Sequence, residues 1–283
     1  MSREYIDRET GEIKEFTQTR TKEQQEVIEN EKRKKAYRDA QGAEKHPFYF
    51  AKMEKAKEAD NMLSMKDKGY FAVIQCYISY DNMLKKENDS KLPMTRKDLL
   101  EVLKIKKYDT VSSLINKFKK HGLIEEKKID LYGKQYKALF VNDEYCFRKD
   151  VNKGKSTKKT AKVFMNNVKE LYAEDKIKPA DLGFVYSIIP LVNYHHNLLT
   201  ANPYEPDASK DQYLTVNDIT EVTGLHSKEV AKKVSSLRWN GMSVFVRIKR
   251  GRETIIKVNP LIVYRQEGYP PFNMYAEFII NKK

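Results

Sequence analysis

The apolar residues of this chain follow one pattern twice, first from about residue 69 and again from about residue 183. Each copy opens on a glycine and two apolar residues, later places an apolar residue before a threonine, and closes on Val-Asn. These matches are Gly69-Tyr70-Phe71 with Gly183-Phe184-Val185, Met94-Thr95 with Leu214-Thr215, and Val141-Asn142 with Val258-Asn259. One such match arises easily by chance, whereas their shared order across a whole unit indicates a duplicated domain.

Both copies predict the same three helices. A long apolar helix comes first, over 70–84 and 184–199. A short second helix follows, with Thr95 or Thr215 as its N-cap and an aspartate three residues later, which is typical of a capping box. The third helix has apolar residues spaced at i, i+4 and i+7, beginning at Val111 in one copy and at Val230 in the other.

The end of each copy predicts a β-hairpin. The third helix is expected to end at Gly122 or Gly241, and two alternating strands then flank Gly133 or Gly251. Three helices followed by a two-stranded wing are typical of a winged helix-turn-helix. We therefore expect a mainly α fold with small β wings, made of two tandem winged helix-turn-helix domains and a helical N-terminal arm.

The segments outside the two copies differ in composition. Residues 1–17 predict a small hairpin with Tyr5, Ile6, Ile13 and Phe16 on its strands, and residues 18–66, rich in Lys, Glu, Gln and Ala, predict solvated helices. Seven lysines and arginines between 148 and 162 favour a flexible basic linker, followed by a helix at about 162–174. The expected units are a hairpin and basic helical arm (1–66), a first winged-helix domain (67–147), the linker (148–162), a second winged-helix domain (163–272) and a tail (273–283).

The net charge of the chain indicates which class of partner it is expected to bind. The chain has 283 residues and a formal net charge of +14, with 33% charged residues. Such a basic excess favours a polyanion, and no apolar run approaches the roughly 20 residues that a membrane-spanning helix needs. The N-terminus lacks an apolar signal segment, and Cys76 and Cys146 are expected to be buried free thiols. We therefore expect a cytoplasmic protein that binds double-stranded DNA and not a membrane.

The third helix and wing of the first copy supply candidate DNA contacts. A helix in the major groove needs hydrogen-bonding side chains for bases and cations for phosphates. The candidates here are Lys106, Lys107, Tyr108, Thr110, Ser112, Ser113, Asn116, Lys117 and, at the wing tip, Lys134. The alternative is that this helix is the solvated face of a module that binds another protein.

The second copy and the linker supply the remaining candidates. Those on and before the third helix are His226, Ser227, Lys228, Lys232, Lys233 and Ser236, and those at the wing are Lys249, Arg250 and Arg252. A glycine at a cationic hairpin tip, here Gly251, lets the backbone approach a phosphate or enter a minor groove. The linker adds Lys153, Lys155, Lys158 and Lys159.

Patterns that would indicate an enzyme are incomplete. Gly154-Lys155-Ser156-Thr157 resembles the end of a nucleotide-binding loop, but Lys149 stands where that loop requires a glycine. His195 and His196 are adjacent in a predicted helix, so their side chains point in different directions, and no metal-binding spacing accompanies them. We therefore expect no enzymatic activity, no metal and no cofactor.

The second copy resembles a known group. Its Leu-Thr opening of the helix-turn-helix, at Leu214-Thr215, and Val258-Asn259-Pro260 after the wing resemble the RepL-like winged-helix replication proteins of Firmicute plasmids and phages. The paired winged helices are also similar in architecture to iteron-binding plasmid initiators. The resemblance covers about the C-terminal third, and it implies origin binding with recruitment of host replication proteins rather than catalysis.

These observations predict a sequence-specific DNA-binding protein that initiates replication of a plasmid or bacteriophage by binding origin repeats. Two alternatives stay open: a transcription regulator of a mobile element, and a DNA segregation or structural adaptor. The expected partners are double-stranded DNA, host replication proteins and a second copy of the chain bound through the N-terminal helical arm.

Overall fold

The computed structural model describes residues 3–6, 13–16, 46–148, 159–251 and 253–279. At the N-terminus, β1 (Arg3–Ile6) pairs antiparallel with β2 (Ile13–Phe16). This pairing confirms the predicted hairpin. Residues 17–45, which the sequence assigns to the helical arm, lie outside the described residues.

A first structural unit runs from residue 48 to residue 147. It begins with a strand, continues through four helices and a hairpin, and ends with a short strand. These elements are β3 (Phe48–Lys52), α1 (Met53–Met62), α2 (Met65–Gln75), α3 (Arg96–Val102), α4 (Tyr108–Lys120), β4 (Ile124–Leu131), β5 (Lys134–Val141) and β6 (Cys146–Phe147).

A second unit has the same order of elements, with one additional short pair of strands before its hairpin. It comprises β7 (Thr160–Phe164), α5 (Met165–Ala173), α6 (Pro179–Ile188), α7 (Val216–Thr223), α8 (Ser227–Ser236), the short pair β8 (Arg238–Trp239) and β9 (Met242–Ser243), β10 (Phe245–Arg250), β11 (Glu253–Val258) and β12 (Val263–Tyr264). A short helix, α9 (Phe272–Tyr275), follows. Each unit therefore begins with a strand that the sequence pattern does not predict. The helix that follows in the second unit, α5, confirms the helix predicted at about 162–174.

The two units share one sheet. Four strands lie in the order β12, β7, β3 and β6, all antiparallel, so the first strands of the two units are neighbours at its centre. Phe50 lies opposite Lys162, and each stands three residues before the helix that follows its strand. Equivalent positions thus face each other across the central pair, which is the arrangement that a local two-fold axis produces.

The expected fold class is wrong. The prediction was a mainly α protein with β structure confined to two wings, but the described residues form an α/β mixture with a four-stranded sheet between the units. Residues of both units, such as Phe71 and Tyr186, belong to one apolar core. The central strands are buried on both sides, and strands of that kind lack the apolar–polar alternation by which a half-buried strand is recognised.

Several described residues in 18–66 and 148–162 are buried, which disagrees with the solvated helices and the flexible basic linker predicted for these segments. Tyr49 and Met53 are fully buried. Arg148 is also buried and donates from Nη1 to the backbone oxygen of Ile78 at 2.9 Å. Residues 149–158, the centre of the expected linker, lie outside the described residues.

The first helix of each copy is shorter than predicted. Instead of reaching Leu84 and Leu199, α2 ends at Gln75 and α6 ends at Ile188. The chain then turns so that Leu84 and Leu198 form β-bridges beside the hairpin. The same turn contains His195 and His196, so the expectation that they lie in a helix is wrong.

The second and third helices of each copy, and both hairpins, are confirmed. The capping boxes at Thr95 and Thr215 are present, and the apolar face of α4 is buried. Gly241 differs from its prediction, because α8 ends at Ser236 and Gly241 lies in the turn between β8 and β9.

Candidate nucleic-acid interface

The third helix of the first unit, α4, has one exposed polar face. Val111, Leu114, Ile115 and Phe118 are buried on the opposite side. Most candidate contacts at the turn and on the helix are exposed: Lys106, Lys107, Tyr108, Thr110, Ser113, Asn116 and Lys117. Ser112 is only half-buried, and its hydroxyl accepts a hydrogen bond from Nη1 of Arg96 at 3.2 Å.

The third helix of the second unit, α8, exposes fewer cations. His226, Ser227, Lys228, Lys232 and Ser236 are exposed, as expected for residues that contact a partner. Lys233 differs from them, since it is only 7% exposed and its Nζ lies 2.7 Å from Oδ1 of Asp181. The structure therefore separates Lys233 from the other candidates and places it in an ion pair between α8 and α6.

A related ion pair anchors α4. Nζ of Lys117 lies 2.9 Å from Oδ2 of Asp67, in the first turn of α2. Asp181 occupies the same place in the first turn of α6, so each third helix is fixed by a lysine to the first turn of the preceding long helix. Lys117 is still half exposed at its side chain, and it remains accessible to a ligand.

The first hairpin is joined to its helices by a carboxylate. Glu126 on β4 accepts from Nζ of Lys119 at 2.8 Å and from Nη2 of Arg96 at 3.3 Å. The hydrogen bond from Lys119 is the main cause that holds the pKa of Glu126 below its ordinary value. These bonds hold the first hairpin in a fixed position relative to α3 and α4. A ligand that contacts the hairpin and α4 together therefore meets a surface of defined geometry.

The second hairpin is joined differently. Nη2 of Arg247 on β10 donates to the backbone oxygen of Ala231 on α8 at 2.8 Å. Further along the strand, Lys249 and Arg250 are exposed, and the guanidinium carbon of Arg250 lies 4.6 Å from the centre of the Tyr213 ring. The side chains of these two candidates are accessible to a ligand. Arg252, the third candidate on this hairpin, lies outside the described residues.

The remaining candidates are scattered. Lys134 is exposed at the tip of the first hairpin. Lys153, Lys155 and Lys158 lie outside the described residues. Lys159 directly precedes β7, and its Nζ lies 2.5 Å from Oε1 of Glu54 on α1. It is engaged beside the central sheet, and no described contact joins it to either third helix.

Two buried asparagines position the hairpins, and the sequence pattern did not single them out. Asn82 has a positive φ of 64°, and its Nδ2 donates to the backbone oxygens of Val141 at 3.1 Å and Cys146 at 2.7 Å. Asn197, with φ 60°, donates in the same way to Val258 at 2.9 Å and Val263 at 2.8 Å. Asparagine tolerates this backbone conformation. The signal available in the sequence was therefore an asparagine shortly after a tyrosine, in Tyr80-Asp81-Asn82 and in Tyr194-His195-His196-Asn197.

The asparagine after each hairpin has a structural role as well. Nδ2 of Asn142 donates to the backbone oxygen of Gly122 at 2.9 Å, and Nδ2 of Asn259 donates to that of Ser243 at 3.0 Å. These equivalent bonds tie the end of each hairpin to the segment that enters it. The Val-Asn signature of the repeat is thus explained by hairpin closure.

Residues 3–6, 13–16, 46–148, 159–251 and 253–279 contain neither a metal-binding cluster nor a membrane-spanning helix. No three or more His, Cys, Asp or Glu side chains there are grouped so as to hold a metal ion. No helix in these ranges has the length and apolarity needed to cross a membrane.

Comparison of the chain with protein-family models, with curated proteins and with solved structures finds no match.

Proposed function

We propose that this chain is a sequence-specific double-stranded DNA-binding protein whose two third helices, α4 and α8, each face a major groove. The observation that carries the proposal is the exposed side of α4 and of the turn before it. Lys106, Lys107 and Lys120 are exposed there and form no ion pair with the described residues, while Ser113 and Asn116 lie among them. This face combines cations for phosphates with side chains able to bond base edges.

The fixed position of the third helices supports the proposal. Base recognition requires side chains held by rigid supports, because a loosely held donor gains little when it meets a base. Each third helix is held by a lysine–aspartate ion pair, Lys117 with Asp67 and Lys233 with Asp181, and each is joined to its hairpin. The exposed faces are therefore presented in a defined orientation.

The symmetric arrangement of the two units supports a DNA site composed of two half-sites. Equivalent strands pair antiparallel at the centre of the shared sheet, and both units contribute to one core. A single chain then presents two third helices related by a local two-fold axis, as a symmetric dimer presents two recognition helices to two half-sites. We infer that the DNA site contains two half-sites about one helical turn apart.

Within this class we propose initiation of plasmid or phage replication as the biological role. The support is the resemblance of the second copy to RepL-like initiators, at Leu214-Thr215 and Val258-Asn259-Pro260. Part of that support has a structural explanation, since Asn259 closes the hairpin just as Asn142 does. The initiator role is therefore tested by identifying which DNA the protein selects.

The test is selection of DNA by the full-length protein from fragments of its own replicon, followed by footprinting. Pairs of protected half-sites in inverted orientation, located within an origin, support the initiator role. A single site over a promoter indicates a regulator, and protection that spreads with protein concentration indicates a segregation adaptor. If no fragment is enriched over a random pool, the protein is not a sequence-specific DNA-binding protein.

A further inference from the structure

The tip of the first hairpin has an unusual residue in its turn. Leu131 pairs with Lys134, so Tyr132 and Gly133 alone connect β4 to β5. Both have positive φ, 52° for Tyr132 and 72° for Gly133. Two-residue hairpin turns of this kind require positive φ at both central residues and favour asparagine, aspartate or glycine at the first. Here the first central position is a tyrosine.

Tyrosine is unfavourable at this position for a steric reason. In the left-handed region the Cβ atom of an L-residue approaches the following carbonyl oxygen, a contact that glycine avoids and that asparagine offsets by local hydrogen bonding. A bulky residue held there persists only where something else requires it, and such residues cluster at functional sites. The ring is the part of Tyr132 that distinguishes it from the residues this turn favours.

The ring does not contribute to the core. Tyr132 is 70% exposed, the largest exposed fraction among the large hydrophobic side chains of the described residues. Its neighbours are cationic: Nζ of Lys91 lies 5.9 Å from the ring centre, and Lys134 is exposed on the next strand. An exposed aromatic ring with a lysine near it and a second exposed lysine two residues along the chain combines a stacking surface with charges suited to phosphates.

The second hairpin lacks this combination. At its tip Gly251, with φ 61°, stands in the turn, and the exposed cations Lys249 and Arg250 precede it. The duplicated hairpins have therefore diverged, with an exposed ring on the first and several cations on the second. A turn required only for hairpin closure would not need a tyrosine, since the second unit closes its hairpin without one.

We propose that Tyr132 is a base-contacting residue that enters the minor groove of DNA bound by α4 and partly unstacks one base step. Lys91 and Lys134 would contact the flanking phosphates. Side chains inserted from the minor groove act in this way in proteins that bend DNA, and a flexible pyrimidine–purine step opposes the insertion least. This inference depends on the proposed DNA binding and assigns a distinct role to the first hairpin.

The substitution Tyr132→Asn removes the aromatic ring and keeps the backbone conformation of the turn. Asparagine suits the turn, so the variant should be at least as stable as wild type in thermal melts. Tyr132→Phe keeps the ring and should behave as wild type. Lys66→Asn, on the exposed side of α2, is the matched surface control.

The probes are short duplexes that carry the sequence selected by wild type from random DNA, with 2-aminopurine at each position in turn. Wild type and Tyr132→Phe should raise the fluorescence at one step beside the segment protected by α4. Tyr132→Asn should lose that fluorescence signal and bind the selected duplex about tenfold more weakly. Lys66→Asn should retain both.

The outcomes separate this inference from the proposed function. If wild type selects no DNA, the proposed function fails. If wild type binds but Tyr132→Asn gives the same affinity and the same fluorescence, Tyr132 does not contact bases and only the further inference fails. A loss of thermal stability in Tyr132→Asn would also overturn it, because the strain argument would then be wrong. Loss of binding to a protein partner with unchanged DNA binding would reassign the tip to protein recognition.

Discussion

Gly69 and Gly183 lie at matching positions of α2 and α6, and each packs against the backbone at the start of the other's helix. A Cβ atom built on Gly69 would be 1.7 Å from the backbone oxygen of Pro179, and one built on Gly183 would be 1.8 Å from that of Met65. Pro179 and Met65 are the first residues of the two helices. The glycines therefore allow a reciprocal close approach at the centre of the molecule.

Substitution of Gly69 by alanine should destabilise the protein. Alanine normally favours a helix by about 1 kcal/mol relative to glycine. Here its methyl group would meet the backbone of Pro179, and overpacking against atoms that cannot rotate away costs about 3 kcal/mol. We expect a net loss of about 2 kcal/mol in urea denaturation. Lys66→Ala in the same helix is the control and should change stability by less than about 0.5 kcal/mol. A more stable Gly69→Ala variant would show that the helices do not touch there.

Lys233 and Lys232 should have opposite roles although they are neighbours. Lys233→Met leaves Asp181 without its buried partner, and loss of one member of such a pair costs about 3 kcal/mol. Lys232→Met removes an exposed cation and should leave stability within about 0.5 kcal/mol of wild type while weakening DNA binding. Chemical denaturation and DNA titration of both variants test this. Equal stability of the two variants would contradict the buried ion pair.

Lys162 should make stability depend on alkaline pH. Burial lowers its pKa from 10.5 to about 8, and its Nζ donates to the backbone oxygens of Gln266 and Gly268, which a neutral amine can also do. Between about pH 8 and pH 10.5 the unfolded chain binds this proton and the folded chain does not, so stability should rise with pH across that window.

The measurement is the free energy of unfolding of wild type and Lys162→Met at several pH values. Wild type should gain up to about 3 kcal/mol relative to the variant between pH 8 and pH 10.5, since one pKa unit corresponds to about 1.4 kcal/mol. Comparison with the variant removes the contribution of other titrating groups. A constant difference across this range would show that Lys162 remains charged in the folded protein.

Lys249 and Arg250 on the second hairpin should contribute affinity without sequence preference. Phosphate contacts carry no base information, so replacing both by alanine should weaken binding to selected and random DNA alike. The slope of log affinity against log salt should become shallower by about 1 for each lost contact. Alanine at Lys228 and Lys232 on α8 should instead change which sequences are preferred, if either lysine reaches a guanine. An unchanged salt slope in the hairpin variant would remove this hairpin from the interface.

The spacing between half-sites should be fixed, because the two units are joined by a sheet and a shared core. Insertion of about five base pairs between the two protected segments turns one half-site to the opposite face of the DNA. Binding should then fall to the level of a single half-site. Gel-shift titrations with half-turn and full-turn insertions test this, and equal affinity for the half-turn duplex would indicate that only one unit binds DNA.

Several elements follow from the sequence alone, because the signals for them are local. The apolar spacing on α4 and α8, the Thr–Asp capping boxes and the alternation in both hairpins depend on neighbours within a few residues. In α7, hydrogen bonds from Thr215 hold the pKa of Asp218 below its ordinary value, as a capping box requires. The duplication was also visible, because equivalent positions need the same kind of side chain.

The way in which the two units combine depends on contacts between distant segments of the chain. Phe48–Lys52 and Thr160–Phe164 are strands because each supplies the backbone partners of the other, over a separation of more than one hundred residues. Nothing within either segment specifies that pairing. Lys233 illustrates the same limit for the candidate site: its sequence neighbours suggest a surface lysine, and only the approach of Asp181 from α6 removes it from the exposed face of α8. Long-range contacts of this kind set burial, and burial decides which charged side chains remain accessible to a ligand.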